Sequence, residues 1–274
     1  MAMNKVIVVV VDGMQYQAAI TQMGFINHLV EVGKAARYLV KSELPSLSRP
    51  LYEVLLTGTP SSVNGITSNQ VVRLSHQKSI FHLTREHGLR NAAAAYYWVS
   101  ELYNRAPFHY VEDRFQNDEE KAIQHGCFYF EDSYPDSHLL LDGESLRRKV
   151  DPDFLYIHSM GVDNAGHLFG SDSKQYRGSV IAVDTILAQL LPVWMDEGYQ
   201  VIVTSDHGMN PDGNHGGTGD DERNVPLYGI GSAFTPGIYD EAIPQLSVAP
   251  LICQLLGIPA SEAMIKHSFP GVQG

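Results

Sequence analysis

Short apolar runs alternate along the chain with longer stretches in which apolar residues recur every three or four positions. The short runs are typical of buried strands, and the longer periodic stretches are typical of amphipathic helices. The predicted strands span residues 5–11, 36–43, 92–98, 153–159, 199–204 and 225–230. The predicted helices span residues 25–33, 51–56, 78–87, 171–197 and 246–256. Because strands and helices alternate, the pattern predicts an α/β fold: a doubly wound, mostly parallel sheet with helices on both faces.

The region from about residue 100 to residue 150 departs from this alternation, because it is more polar and less regular than the rest. We interpret it as a small cap or insert that packs beside the sheet. The chain has 274 residues, of which 44% are apolar, and this is enough for a normal globular core. We therefore predict a single domain over residues 1–274 that contains the insert.

Four polar residues each follow a separate predicted strand, namely Asp12, Ser48, Asp163 and Asp206. In open α/β sheets the carboxyl ends of the parallel strands meet at one edge, and ligands bind at that edge. Ser48 also precedes the helix at 51–56, so we predict it as the N-cap residue of that helix. The alternative is that all four are ordinary turn or capping residues.

Three histidines accompany these acids. His207 directly follows Asp206, and His215 comes eight residues later in a glycine-rich loop. Asp163 and His167 are four residues apart, so a helical turn would place both on one face. Carboxylate oxygens and imidazole nitrogens together suit Zn²⁺ or Mn²⁺. The alternative is a set of turn aspartates with loop histidines nearby.

Net charge and cysteine content limit which binding partners and which cellular compartment we expect. The net charge of −12 would repel a nucleic acid polymer, although a small anion could bind where local cations reverse the field. Two cysteines make no disulfide framework, and we find no run of about 18 apolar residues and no signal-peptide pattern. We therefore expect no membrane partner and a cytoplasmic setting.

The order of these residues resembles the alkaline phosphatase superfamily. The likeness is to type I phosphodiesterases/nucleotide pyrophosphatases and to the catalytic domains of GPI ethanolamine-phosphate transferases. Those families share four signatures: an Asp after the first strand, a Thr or Ser nine residues before Thr-Gly, Gly-x-Asp-x-x-Gly-His, and Asp-His-Gly-Met with a later His. Here they are Asp12, Ser48 before Thr57-Gly58, residues 161–167, and residues 206–209 with His215. The likeness covers residues 5–66 and 153–257.

The resemblance implies an alkaline-phosphatase-like fold and a site with two divalent metal ions, of which Zn²⁺ is the first expectation and Mn²⁺ the second. One ion would be held by Asp12, Asp206 and His207, with the Ser48 oxygen as a further ligand. The other would be held by Asp163, His167 and His215. Physical chemistry agrees, because three crowded carboxylates repel one another and two divalent cations remove that repulsion.

The resemblance further implies that Ser48 is the nucleophile of a hydrolase that cleaves phosphodiester or pyrophosphate bonds through a phospho-enzyme. The substrate would be a small phosphate ester. A phosphomonoesterase, a phosphonate hydrolase of the phosphonoacetate type, and a non-catalytic metal-binding protein remain alternatives. The sequence assigns no side chain to the phosphoryl oxygen, for which the backbone N–H of Arg49 is a candidate. His158 is predicted to be a surface or packing residue. Asn69 is predicted to be a turn residue, with contact to the substrate as the alternative.

Overall fold

The computed structural model describes residues 5–265 and 268–273, and a nine-stranded sheet runs through this part of the chain. The strands are β1 (Val6–Val11), β2 (Ala35–Lys41), β3 (Asn91–Tyr96), β4 (Phe115–Asn117), β5 (His125–Tyr129), β6 (Phe154–Ser159), β7 (Gln200–Thr204), β8 (Asn224–Ile230) and β9 (Gly237–Pro244). Their order across the sheet is β4-β5-β3-β6-β1-β7-β8-β2-β9.

Most neighbouring strands are parallel. The parallel pairs are β5–β3, β3–β6, β6–β1, β1–β7 and β2–β9, and the antiparallel pairs are β4–β5, β7–β8 and β8–β2. β1 lies between β6 and β7, and every one of its residues is buried. A parallel strand covered on both faces has to be apolar throughout, which explains the unbroken run of valine and isoleucine in β1. The mostly parallel α/β sheet predicted from the sequence is confirmed.

Helices cover both faces of this sheet. They are α1 (Tyr16–Gln22), α2 (Gly24–Glu31), α3 (Ser48–Thr57), α4 (Ser61–Asn64), α5 (Ile80–Glu86), α6 (Tyr97–Tyr103), α7 (Asp136–Val150), α8 (Gly161–Phe169), α9 (Lys174–Asp196), α10 (Asp220–Arg223) and α11 (Val248–Leu256). Side chains of α3, α5, α6 and α11 pack in one core, and those of α1, α2, α7, α8 and α9 pack in the other. Alternate residues of β1 enter opposite cores, because successive side chains of a strand point to opposite faces.

The structure departs from the predicted pattern at several elements, of which three are instructive. α1 was not predicted, because it is short and only two of its residues are buried. β9 was not predicted, because most of its side chains are exposed and it carries no apolar run. The strand predicted at 92–98 ends at Tyr96, where α6 begins. Periodicity alone does not separate a buried strand from a buried helix in a short apolar run such as this one.

The segment at 100–150 contributes to the sheet directly. β4 and β5 form one edge of the sheet, and α7 packs against β3 and β6. Residues 104–114 and 118–124 lie outside regular secondary structure. A distinct cap or insert in this segment, and the single domain over 1–274, stay predictions.

α9 is the one helix of the described residues that is long and apolar enough to cross a membrane by length and composition. The sequence of α9 contains no uninterrupted run of about 18 apolar residues, because polar residues such as Asp184 and Gln189 interrupt it. In the structure one face of α9 is buried in the core, from Tyr176 through Val180 and Val183 to Trp194. The packing of this face against the core accounts for the apolar residues that recur along it.

Candidate metal centre

The residues that the sequence places after separate strands lie together at the carboxyl edge of the sheet. Asp12 follows β1, Asp163 lies in α8 after β6, and Asp206 and His207 follow β7. Their side chains, together with His167 and His215, form two groups that could each hold a metal ion: Asp12, Asp206 and His207, and Asp163, His167 and His215. The two groups are the two ligand sets that the resemblance implies.

The first group is fully buried. His207 Nε2 lies 3.2 Å from Asp12 Oδ1 and 3.3 Å from Asp206 Oδ2. Ser48 Oγ lies 3.1 Å from the same nitrogen. One imidazole nitrogen therefore faces two carboxylate oxygens and a hydroxyl oxygen, and these atoms are the ligands that the resemblance assigns to one ion.

The second group is more open. Asp163 Oδ2 lies 3.3 Å from His167 Nε2, and Asp163 Oδ1 lies 3.7 Å from His215 Nε2. The two histidine Nε2 atoms are 3.2 Å apart. Asp163 and His167 lie on one face of α8, as their spacing of four predicts. The side chain of His167 is 45% exposed, so this group faces solvent on one side.

All three histidines turn the same nitrogen toward the centre. The Nδ1 atoms of His167, His207 and His215 lie 2.8–2.9 Å from the backbone carbonyl oxygens of residues 213, 208 and 46 respectively. A carbonyl oxygen only accepts, so each Nδ1 carries the proton and donates it. In the neutral form of each ring, Nε2 then keeps its lone pair and is directed at the centre, and this is the form of imidazole that binds a metal ion.

Three carboxylate oxygens at the centre are buried without a hydrogen-bond partner among the described residues: Asp12 Oδ1, Asp163 Oδ1 and Asp206 Oδ2. A buried carboxylate oxygen without a partner is costly unless a cation neutralises it. Each of these atoms lies within 3.7 Å of a histidine Nε2. The donor set therefore fits divalent metal ions, with two unsatisfied oxygens in the first three-residue group, from Asp12 and Asp206, and one in the second, from Asp163.

Burial and mutual repulsion displace the pKa values of the acids. Burial, followed by the charges of Asp206 and Asp163, raises the pKa of Asp12 well above its usual value. Burial, followed by the charge of Asp163, raises the pKa of Asp206 to about 7. Burial alone would raise the pKa of Asp163 too, but the hydrogen bond from His167 and the nearby histidines outweigh it, and its pKa is lowered. Metal ions would take the place of the protons that Asp12 and Asp206 hold.

The pKa values of the three histidines are shifted in different directions. Burial lowers the pKa of His207, and it lowers the pKa of His215 to about 4, so both rings are neutral at neutral pH. The hydrogen bond to Asp163 raises the pKa of His167 to about 9. His167 therefore has to release a proton when a metal ion binds to it, whereas the other two rings are already in the binding form.

Ser48 is the first residue of α3. The sequence predicts it as the N-cap residue, but Leu47 is the N-cap, with extended φ and ψ of −125° and 144°. The Leu47 side chain makes no capping hydrogen bond, and the Ser48 hydroxyl is not used for capping either. It is buried and points to His207 instead. At this position Ser48 lies at the end of the helix that carries partial positive charge.

Comparison with known proteins gives the family of the chain. Residues 6–218 match the family model for type I phosphodiesterase / nucleotide pyrophosphatase. The chain belongs to this family. It is therefore a phosphoric-ester-hydrolase-like enzyme with an alkaline-phosphatase-like α/β fold, which confirms the resemblance seen in the sequence.

Curated relatives of this phosphodiesterase family member include GPI ethanolamine phosphate transferases. The chain is 22% identical over 289 residues to the catalytic subunit of human GPI ethanolamine phosphate transferase 2, covering 99% of the chain and 28% of the relative. It is 32% identical over 111 residues to the catalytic subunit of human GPI ethanolamine phosphate transferase 3, covering 39% of the chain and 10% of the relative. The chain thus spans less than a third of the length of these relatives.

A solved structure shares the fold. Murine ectonucleotide pyrophosphatase / phosphodiesterase 5, in an inactive form in complex with AMP, aligns with a TM-score of 0.74 at 15% identity. The alignment covers 94% of this family member and 96% of that chain. At this level of identity the likeness concerns the fold.

The backbone N–H of Arg49, which is a candidate for holding the phosphoryl oxygen, is already hydrogen-bonded. Its N–H donates to Asn69 Oδ1 at 3.1 Å. Its buried guanidinium donates to Glu101 at 2.7 Å and stacks on Trp98 at 4.6 Å. Asn69, which the sequence predicts as a turn residue, is thus hydrogen-bonded to the residue that follows Ser48. The amide nitrogen of Asn69 makes no hydrogen bond within the described part of the chain.

Two further residues at the site were not predicted. His158 is fully buried, and its Nε2 lies 3.1 Å from Asp12 Oδ2. The hydroxyl of Tyr52, which lies one turn after Ser48 in α3, donates to the same oxygen. The prediction of His158 as a surface or packing residue is therefore incomplete, because its ring contacts a candidate metal ligand. The pairing of Val10 with His158 in the sheet places this ring beside the end of β1.

Proposed function

We propose that the chain hydrolyses phosphodiester or pyrophosphate bonds, with Ser48 as the nucleophile and two divalent ions, Zn²⁺ or Mn²⁺, held by the two ligand groups. The observation that carries the proposal is the position of Ser48 Oγ, at the start of α3 and 3.1 Å from His207 Nε2. A serine needs an activating environment to attack phosphorus, and this position combines a helix N-terminus with a metal-ligand cluster. A non-catalytic metal-binding protein would have no use for it.

In the first half-reaction Ser48 Oγ attacks phosphorus, the bond from phosphorus to the leaving oxygen breaks, and the leaving oxygen takes up a proton. Ser48 loses its hydroxyl proton to solvent, because His207 Nε2, 3.1 Å away, would be a ligand of the ion and could not take it up. The bound ions would supply positive charge that favours the serine alkoxide and neutralises the phosphoryl oxygens. In the second half-reaction water attacks the phosphoserine, the bond from phosphorus to Oγ breaks, and the Ser48 hydroxyl is restored.

Asn69 is our candidate for holding a phosphoryl oxygen. Its Oδ1 is bonded to the Arg49 N–H, which leaves the Nδ2 group as a donor close to Ser48. A neutral amide donor aimed at developing negative charge is a common part of sites that stabilise such transition states. We therefore assign the phosphoryl oxygen to the Asn69 amide and no longer to the Arg49 N–H.

Two of the three arginines that could place a cation over the phosphoryl group are already paired with carboxylates, whereas Arg114 makes no ion pair among the described residues and lies over the rings of Phe115 and Phe130. Arg49 is paired with Glu101, and Arg105 is paired with Glu112 and Asp113. Both of these arginines thus have carboxylate partners. A monoester carries nearly two negative charges and would benefit from an additional free cation, whereas a diester needs none.

Transfer to an alcohol is a second candidate, favoured by the likeness of nearly the whole chain to GPI ethanolamine phosphate transferase 2. Ser48 would form the same phospho-enzyme, and an acceptor hydroxyl would replace water in the second half-reaction. Adding a primary alcohol such as ethanolamine or glycerol to the assay separates the two candidates. A transferase gives the alcohol phosphodiester as product, and a hydrolase gives the free phosphate monoester.

Ser48→Ala tests the nucleophile. We expect kcat to fall by about 10³ or more, with fold and metal content retained, because the variant lacks the attacking oxygen. Ser46→Ala is the matched control, because Ser46 is also buried but its hydroxyl donates to the Glu222 carbonyl at 2.9 Å. Its effect on kcat should be far smaller. An active Ser48→Ala variant beside an inactive Ser46→Ala variant would refute the assignment.

The substrate class is tested by comparing kcat/KM for bis-p-nitrophenyl phosphate, a p-nitrophenyl nucleotide ester, p-nitrophenyl phosphate and a phosphonate under one set of metal conditions. We expect the diesters to be preferred. Preference for the monoester would favour the phosphomonoesterase alternative, and preference for the phosphonate would favour the phosphonoacetate-type alternative. Two bound ions without turnover of any ester would favour the non-catalytic alternative.

A further inference from the structure

The two oxygens of Asp12 have different environments. Oδ2 accepts hydrogen bonds from the Tyr52 hydroxyl and from His158 Nε2. Oδ1 is buried without a hydrogen-bond partner among the described residues and lies 3.2 Å from His207 Nε2. With both donors on one oxygen, the carboxylate cannot rotate without losing them, so Oδ1 stays directed at the centre.

The donors come from two different elements that meet at Asp12. Tyr52 lies four residues after Ser48 on α3, so the two side chains share one helix face. His158 lies on β6, where its partner in the parallel ladder is Val10 of β1. The Tyr52 and His158 rings contact each other edge to face, with centroids 4.4 Å apart.

This pair of donors is packed in the core and has little freedom to shift. Tyr52 and His158 are fully buried. The His158 ring stacks parallel to Tyr156, and the Tyr52 hydroxyl also lies 3.4 Å from Met160 Sδ. Nδ1 of His158 is buried without a partner in the described part of the chain, so the ring contributes one hydrogen bond at this site, and that bond goes to Asp12.

We propose that Tyr52 and His158 are positioning residues that hold Asp12 as a one-oxygen ligand and thereby fix the ion of the Asp12, Asp206 and His207 group. The inference rests on the proposed two-metal function and assigns to that site two residues outside the ligand sets. Because Tyr52 and Ser48 share α3, the same contact also ties the nucleophile to this ion. Hydrogen-bonded partners of metal ligands typically govern metal affinity in this way.

The test measures metal occupancy. Purified protein and variants are loaded with Zn²⁺, dialysed against a graded series of chelator concentrations, and analysed for ions per chain. We expect Tyr52→Phe and His158→Phe to bind one of the two ions about 10- to 100-fold more weakly and to leave the other unchanged. Asp206→Asn serves as the reference for loss of the ion at the first ligand group, and His215→Ala as the reference for loss of the ion at the second.

Tyr103→Phe is the matched control, because Tyr103 is a buried tyrosine of the same core whose hydroxyl donates to Glu53 at 2.8 Å. It should retain both ions with the affinities of the parent. Unchanged affinities in Tyr52→Phe and His158→Phe, or equal weakening of both ions, would overturn the inference while leaving two bound ions in the parent. A parent that binds no ion at the first group would overturn the proposed function and this inference together.

Discussion

At the scale of single residues, the centre is built around acids that cannot all be ionised without a counter-charge. Asp12 and Asp206 are fully buried within one ligand group, and Asp163 lies close enough to raise the pKa of both. In the metal-free chain protons provide the compensation, and in the loaded chain metal ions would. Metal affinity should therefore rise with pH as these protons become easier to displace.

The pH dependence of stability isolates Asp206. In the folded metal-free chain its pKa is about 7, against an ordinary 3.8, so between about pH 4 and 7 the folded state holds a proton that the unfolded state has lost. The contribution of Asp206 to the free energy of unfolding thus falls as pH rises through this window. Asp206→Asn cannot take up this proton, so its free energy of unfolding should fall less than that of the parent as the pH rises through this window.

The measurement is urea unfolding of both proteins in chelator at several pH values from about 4.5 to about 7.5, a range set by the two pKa values above. Comparing the two proteins matters because burial lowers the pKa of His207 and His215, and those rings give the opposite slope below their ordinary pKa of 6.5. A difference between variant and parent that does not change with pH would contradict the prediction.

Asn69 allows a test of transition-state stabilisation apart from metal binding. Asn69→Asp keeps an oxygen that can accept from the Arg49 N–H but replaces the amide donor with a second oxygen. We expect kcat for a diester to fall by about 10²- to 10³-fold with both ions retained. Asn104→Asp is a matched control with the same change of side chain. The Asn104 Nδ2 group donates to the Ile123 carbonyl and has no proposed role at the metal centre. A normal kcat in Asn69→Asp would contradict the role.

At the scale of elements, a contact joins the motif at residues 161–167 to the motif at residues 206–209. Gly166 of α8 faces Met209, and a Cβ atom at position 166 would lie 2.7–2.8 Å from Met209 side-chain atoms. Met209 is fully buried, so it has no open space to move into. The glycine lets α8 approach the loop after β7, and this approach brings Asp163 and His167 to the second ligand group.

Gly166→Ala should therefore push α8 away from the centre. We expect destabilisation by about 1–3 kcal/mol and weaker binding of one of the two ions, since overpacking a buried contact strains its surroundings. Gly178→Ala is the matched control, because Gly178 is a helical glycine on α9 with nothing within 4 Å of the added Cβ. That variant should be as stable as the parent or more stable by about 0.5–1 kcal/mol, because alanine favours helices. Thermal unfolding and metal analysis of both variants provide the comparison.

The sequence predicts some parts of this architecture and not others, for physical reasons. The ligand positions follow from strand ends, because a parallel sheet brings those ends to one edge whatever the details of packing. The roles of His158, Tyr52 and Asn69 depend on side-chain contacts across segments up to 146 residues apart, which no local pattern encodes. β9 was missed for the opposite reason, since an exposed edge strand needs no apolar run.

At the scale of the whole molecule, net charge bears on which partners the chain can bind. The net charge of −12 disfavours polyanionic partners, and under the proposed function bound cations would offset the acids of the centre before a phosphate ester binds. Cys127 and Cys253 are both free. The cytoplasmic setting stays a prediction, because the curated relatives extend well beyond the length of this chain.

Metal binding should be coupled to folding of the entire sheet. The six ligands lie between Asp12 and His215, in α8 or in the loops after β1 and β7, so they converge only when the central strands are paired. β4 and β5 of the 100–150 segment join the same sheet. We therefore expect one cooperative unfolding transition in calorimetry. Excess Zn²⁺ should raise the midpoint temperature of this transition, because a hundredfold excess over Kd adds about 2.7 kcal/mol to the free energy of unfolding for each site. Two transitions, of which only one responds to Zn²⁺, would show that the segment at 100–150 unfolds on its own and would contradict the single domain.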